Sequence, residues 1–178
     1  MNPAINSCIT IFKNGLDSCV IFDPPGHTQF AVQLGSTNKG EQFAHIGRGL
    51  DEREVKKLKF NDKKLARDPL YIKRGGEFKF FIRLNASQSP LIEKYSFRFI
   101  GLRKSKNGVH SLRFDKDLNA PRDCDDWDQK TQDAPSHPAH HLHINFEDDN
   151  DMRLPTGAID PLMMIASIDH WYRNILSK

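Results

Sequence analysis

Two runs in the middle of the chain, residues 77–84 (EFKFFIRL) and 95–102 (YSFRFIGL), constrain the fold most. In the second, Tyr95, Phe97 and Phe99 alternate with Ser96, Arg98 and Ile100. A period of two is the pattern of a strand with one buried face, so the rings are expected inward and Arg98 outward. A turn at Lys106-Asn107-Gly108 then leads to residues 109–115 (VHSLRFD), where Ser111, Arg113 and Asp115 share one face and Leu112 and Phe114 the other. Three strands joined by short connections imply an antiparallel sheet.

The rest of the chain is read around that sheet. Residues 7–12 (SCITIF) and 18–22 (SCVIF) are rich in β-branched and aromatic residues and flank Asn14-Gly15, which predicts a hairpin. Residues 27–34 supply a third strand of this amino-terminal meander, and a short strand is expected at 42–46. Gly47-Arg48-Gly49 lacks the lysine and hydroxyl of a P-loop and reads as a plain turn. Asp51 caps a helix beginning at Glu52. Lys56, Lys57, Lys63 and Lys64 make this region basic, either as a solvated face or as a surface that docks phosphates or an acidic partner. Residues 116–135 form an acidic loop or insertion around Trp127. Asp160-Pro161 starts a last helix running to about residue 177, with Ile165, Ile168, Tyr172 and Ile175 at helical spacing. The expected fold is therefore α+β: one domain, residues 1–178, in which about six to seven antiparallel strands carry one basic helix and a C-terminal helix.

Composition sets the class of protein. With 178 residues, 38% of them hydrophobic, the chain can bury one sizeable core, and a net charge of +3 by itself demands no polyanion. Cys8, Cys19 and Cys124 cannot all pair and form no CxxC, which fits a reducing, cytoplasmic setting. No apolar run approaches the roughly 18 to 20 residues that cross a bilayer, so no membrane partner is expected.

Chemistry concentrates in residues 136–147 (SHPAHHLHINFE), which hold four of the eight histidines, His137, His140, His141 and His143. On a strand, His141 and His143 share one face while His140, Leu142 and Ile144 share the other. Three readings compete. In the first, His141 and His143 ligate zinc or another divalent metal, with Asp115, His137, Cys124 or Glu147 completing the set. In the second, which needs no metal or other cofactor, His140, His141 and His143 act as general acid and base on RNA. There Asp115 orients an imidazole, Arg113 meets the developing phosphorane charge, and Arg98, His137 and the lysines 56, 57, 63 and 64 bind substrate. In the third, the histidines are polar surface bonded to the acidic loop.

The strand ending Leu112-Arg113-Phe114-Asp115, then Pro138 and His140-His141-Leu142-His143, then an apolar carboxy-terminal helix, resembles the TumE-like toxins of bacterial toxin–antitoxin pairs. In those small proteins an Arg-aromatic-Asp strand precedes a short histidine-rich motif. The likeness covers about residues 95–175; the acidic segment is longer than that pattern has, and the first ninety or so residues lie outside it. It implies a growth-inhibiting or defence-related intracellular effector, a protein partner that inhibits or completes it, and nucleic acid as target. The leading expectation is a metal-independent ribonuclease. The alternatives are a non-enzymatic protein- or nucleic-acid-binding module and a histidine-ligated metal-binding protein.

Overall fold

A computed structural model describes residues 2–23, 27–73, 75–89, 91–101, 109–116, 140–146, 151–155 and 163, with the backbone alone for 109, 110, 141, 145, 146 and 151–155. The chain opens with helix α1 (Pro3–Ser18), followed by the two-residue β1 (Phe22–Asp23), β2 (Ala31–Ser36) and β3 (Gln42–Arg48). Two short helices, α2 (Glu52–Leu58) and α3 (Lys63–Arg67), precede β4 (Leu70–Ile72), β5 (Glu77–Asn85), β6 (Ile92–Ile100), β7 (Val109–Lys116), β8 (His140–Phe146) and β9 (Asp151–Pro155). Every strand pairing is antiparallel and all nine strands belong to one sheet, so the architecture is α+β.

β5 organises the sheet. One of its edges is shared: Glu77 and Phe78 pair with β4, and Phe80 to Asn85 pair with β3. Its other edge pairs along nearly its whole length with β6, and β7, β8 and β9 follow in order. The Gly75-Gly76 break works as a tight return between β4 and β5, because both glycines adopt positive φ that a side chain would disfavour.

The first face of the sheet is the main core. Phe78, Phe80, Ile82 and Leu84 of β5 pack beside Tyr95, Phe97 and Phe99 of β6 and Leu112 of β7, all buried. Helix α1 covers this face, with the Phe12 ring edge-on to Phe80 at 5.1 Å and to Phe30 at 5.6 Å. Among the described residues, α2 and α3 cover one end of the second face, where Val55, Ala66 and Phe60 of the loop between the two helices close a small core with Ala31, Leu50 and Phe81. Asp51 and Glu54 form a reciprocal capping box at the start of α2, as the sequence predicts for Asp51.

Three sequence expectations need correction. Residues 7–22 are not a hairpin: Asn2 caps α1, Pro3 occupies its first turn, and Asn14-Gly15 lies inside the helix. Buried Ile5, Phe12 and Leu16, with half-buried Cys8 and Ile9, form one helical stripe; the burial it achieves outweighs the strand preference of its β-branched residues. The third strand begins at Ala31 rather than at residue 27. Residues 151–155, for which the sequence predicts no strand, form β9. Of the expected last helix, Met163 alone is described, and it is helical; the acidic segment 117–135 and His137 lie outside the described residues.

Candidate functional site

The antiparallel register converts scattered residues into rows across the second face. One row runs Phe81, Ser96, Asp115, His141. The next runs Lys79, Arg98, Arg113, His143 and position 153, an arginine. Cationic residue types thus stand opposite one another on five consecutive strands. Like charges directly opposite across a sheet oppose pairing; here Glu77 answers Lys79 and Asp115 answers Arg113, while Arg98 between them has no ion pair among the described residues.

Its centre is a three-residue cluster. Arg113 Nη2 lies 2.8 Å from His143 Nε2. A guanidinium can only donate, so Nε2 is the acceptor and His143 is neutral, with its proton on Nδ1. Arg113 Nε approaches Asp115 Oδ2 at 2.5 Å, an ionic contact in which the N–H is not aimed at the oxygen. His143 Nε2 is 3.9 Å from the same carboxylate oxygen. The His143 ring is buried, with 4% of its surface exposed, and Asp115 is nearly so, whereas Arg113 is half-exposed. The cluster therefore offers a cation at its mouth, held from behind by a carboxylate and a neutral imidazole.

His140 takes no part in it. Its position faces the first side of the sheet, where its Nδ1 is 3.1 Å from the Tyr95 hydroxyl. Beside it on that side is the buried Lys116, which donates to the Ile92 carbonyl at 2.5 Å and whose pKa burial lowers, against the opposing influence of Glu93. The five residues expected to act together are thus divided. Arg113, Asp115 and His143 meet, His141 stands on their face opposite Asp115, and His140 is behind the sheet.

Of the expected substrate-binding residues, Arg98 adjoins the cluster in the cationic row and is exposed. The exposed Lys56, Lys57, Lys63 and Lys64 sit on α2 and α3, which pack on β2, β3 and Phe81, toward the other end of the face. Lys56 is 3.4 Å from Glu52, which also receives Arg67 at 3.0 Å, so part of this charge is answered locally. Gly47 and Arg48, expected as part of a turn, are instead the paired end of β3, and Arg48 donates to the carbonyls of Asp68, at 2.9 Å, and Gln29, binding neighbouring loops together. As regards metal, no three His, Cys, Asp or Glu side chains converge among the described residues.

Sequence reasoning missed three members of this face. Lys79 alternates with Phe78 and Phe80, and that alternation was the available signal. Ser96 is the second. The third is His45, which stacks between Phe43 and Phe81 and hydrogen-bonds Gln33 at 3.2 Å. Burial, with help from the Arg83 charge, pushes its pKa down to about 4.

No family model, curated protein or solved structure was found to match the chain. No helix among the described residues is long and apolar enough to cross a membrane.

Proposed function

We propose that the protein acts on RNA from the second face of its sheet, as a metal-independent ribonuclease of the kind found in intracellular toxin or defence effectors. The observation that carries the reading is the placing of Arg113, Asp115 and His143 in contact within a row of cationic residues, with position 141 on the same face. A phosphate at the mouth of the cluster meets Arg113, a fixed cation already oriented. In the reaction, a neutral His141 removes the 2′-hydroxyl proton, the 2′-oxygen bonds to phosphorus, and the bond from phosphorus to the 5′-oxygen breaks. The leaving 5′-oxygen takes a proton from a water molecule, His141 returns its proton to the hydroxide so formed, and the products are a 2′,3′-cyclic phosphate and a 5′-hydroxyl. Asp115 steadies His141 and Arg113. His143 serves as a positioning residue, since its Nε2 lone pair already receives Arg113. A protein partner that masks this face would hold such an activity in check.

A second reading is favoured by the burial of His143: the face binds RNA without cleaving it. The two separate on labelled single-stranded RNA incubated in EDTA with the wild type, His141→Ala and Arg113→Ala. Cleavage to cyclic-phosphate ends, lost by at least about a hundredfold in His141→Ala, is the expected result for a general base. Binding by the wild type with no cleavage, in EDTA or with added divalent metal, leaves the binding reading in place of the enzyme.

A further inference from the structure

Beside the Arg113 cluster, between the start of α2 and the exposed face of β5 and β6, lies a small, shallow cleft open to solvent. Its walls are Gly49, Leu50 and Glu54 on one side and Lys79, Phe81, Ser96 and Arg98 on the other. Three features distinguish it from an ordinary basic surface. The Ser96 hydroxyl is buried in this wall and has no hydrogen-bond partner among the described residues; such a group is costly unless something is bound to it. Arg98 is exposed and makes no hydrogen bond or ion pair among the described residues. Lys79 is held in place: its stem lies on Gly49, where an added Cβ would come within 2.5 Å of Lys79 Cγ, and its ammonium is 2.9 Å from Glu77. Gly49 has a φ of +71°, so the position is closed to other residues on two counts.

We infer that this cleft is a second phosphate subsite, in which Lys79, Arg98 and Ser96 hold the phosphodiester neighbouring the one that meets Arg113. The inference rests on the RNA reading above and adds the form of the substrate. Adjacent strands are about 4.8 Å apart, so Lys79, Arg98 and Arg113 span roughly 10 Å along the row. A single strand laid across the strands of the sheet, with successive phosphates over this row, uses all of them; a ligand with one phosphate uses only part. Donors of three kinds suit a phosphodiester, whose two free oxygens accept from both cations and the hydroxyl. Glu54 does not compete for the cations, because its Oε2 accepts from the Asp51 backbone N–H at 2.9 Å.

The test is fluorescence anisotropy with labelled single-stranded RNA of two and eight nucleotides, carrying one and seven phosphodiesters, at several salt concentrations. The proteins are the wild type, Lys79→Gln/Arg98→Gln, Ser96→Ala, and a control, Lys13→Gln/Lys39→Gln, that removes the same charge from exposed positions on α1 and the β2–β3 turn. The row variant should weaken the eight-nucleotide ligand about tenfold or more and reduce the slope of log affinity against log salt by about 1.4, for two lost phosphate contacts. It should change the two-nucleotide ligand much less. Ser96→Ala should weaken the longer ligand a few-fold with the slope unchanged, and the control should alter either ligand by less than about twofold. Equal losses in the row variant and the control, or equal losses on short and long RNA, overturn the subsite. So does a wild type that binds neither RNA. A wild type that binds with the predicted length and salt dependence yet cleaves nothing upholds the subsite and removes the enzyme reading alone.

Discussion

The two faces of one set of strands follow opposite rules. On the first, Phe78, Phe80, Phe97 and Phe99 are each at most 4% exposed and stack ring on ring beneath α1. On the second, one residue out of step along the same strands, Lys79, Arg98 and Arg113 stand opposite one another. The first face explains why the chain folds, since burying apolar area is the main favourable term. The second carries no apolar cluster over β6 and β7 among the described residues, and sets cations side by side there. Charge kept where stability does not ask for it is a functional signature.

The comparison breaks most easily at the core. Phe97→Ala, at a fully buried position between Phe78 and Tyr95, should cost about 3 to 5 kcal/mol in urea unfolding. A loss under about 1 kcal/mol would mean that the first face is not the stabilising one.

His45 sharpens it, as a buried second-face residue of β3. Its folded pKa, about 4, lies below the ordinary value of 6.5. The unfolded chain therefore binds a proton first as pH falls, so the contribution of neutral His45 is complete above pH 6.5 and disappears as pH drops toward 4. After discounting for partial solvent screening, the loss is on the order of 2 kcal/mol. Urea midpoints between pH 7 and 4 should fall less steeply in His45→Gln; parallel curves would show that the ring is not buried neutral.

The smallest stability effect belongs to the cationic row. Arg98→Ala should change unfolding free energy by no more than about 0.5 kcal/mol, because the side chain is exposed. Its RNA affinity should nevertheless drop several-fold. A stability loss as large as that of a core residue would return Arg98 to the fold.

How far the sequence could be read follows the same division. The β5 and β6 alternation and the Asp51 cap were legible, because each depends on local period or on capping chemistry. Helix α1 was not, since Ile9, Thr10 and Ile11 around an Asn-Gly pair imitate a hairpin until the stripe Ile5, Ile9, Phe12, Leu16 is given a sheet to cover. Strand β9 was obscured by polar residues and a proline. The site was legible in its residue types and not in its alignment. That Lys79, Arg98 and Arg113 fall opposite one another depends on three strand registers, which tertiary packing sets. The same alternation that placed His141 with His143 separates His140 from them, and the Tyr95 contact agrees.

The most direct measurement is a nuclear magnetic resonance titration of the labelled protein with an eight-nucleotide single-stranded RNA, observing backbone amides and arginine Nε–H groups. Perturbations should concentrate on Arg98, Arg113, Ser96, Lys79 and the strand carrying His141 and His143, leaving α1 and the Phe78–Phe97 face unshifted. Shifts centred on α1, or on the lysines of α2 and α3 with the Arg98–Arg113 row silent, would contradict the assignment of function to the second face.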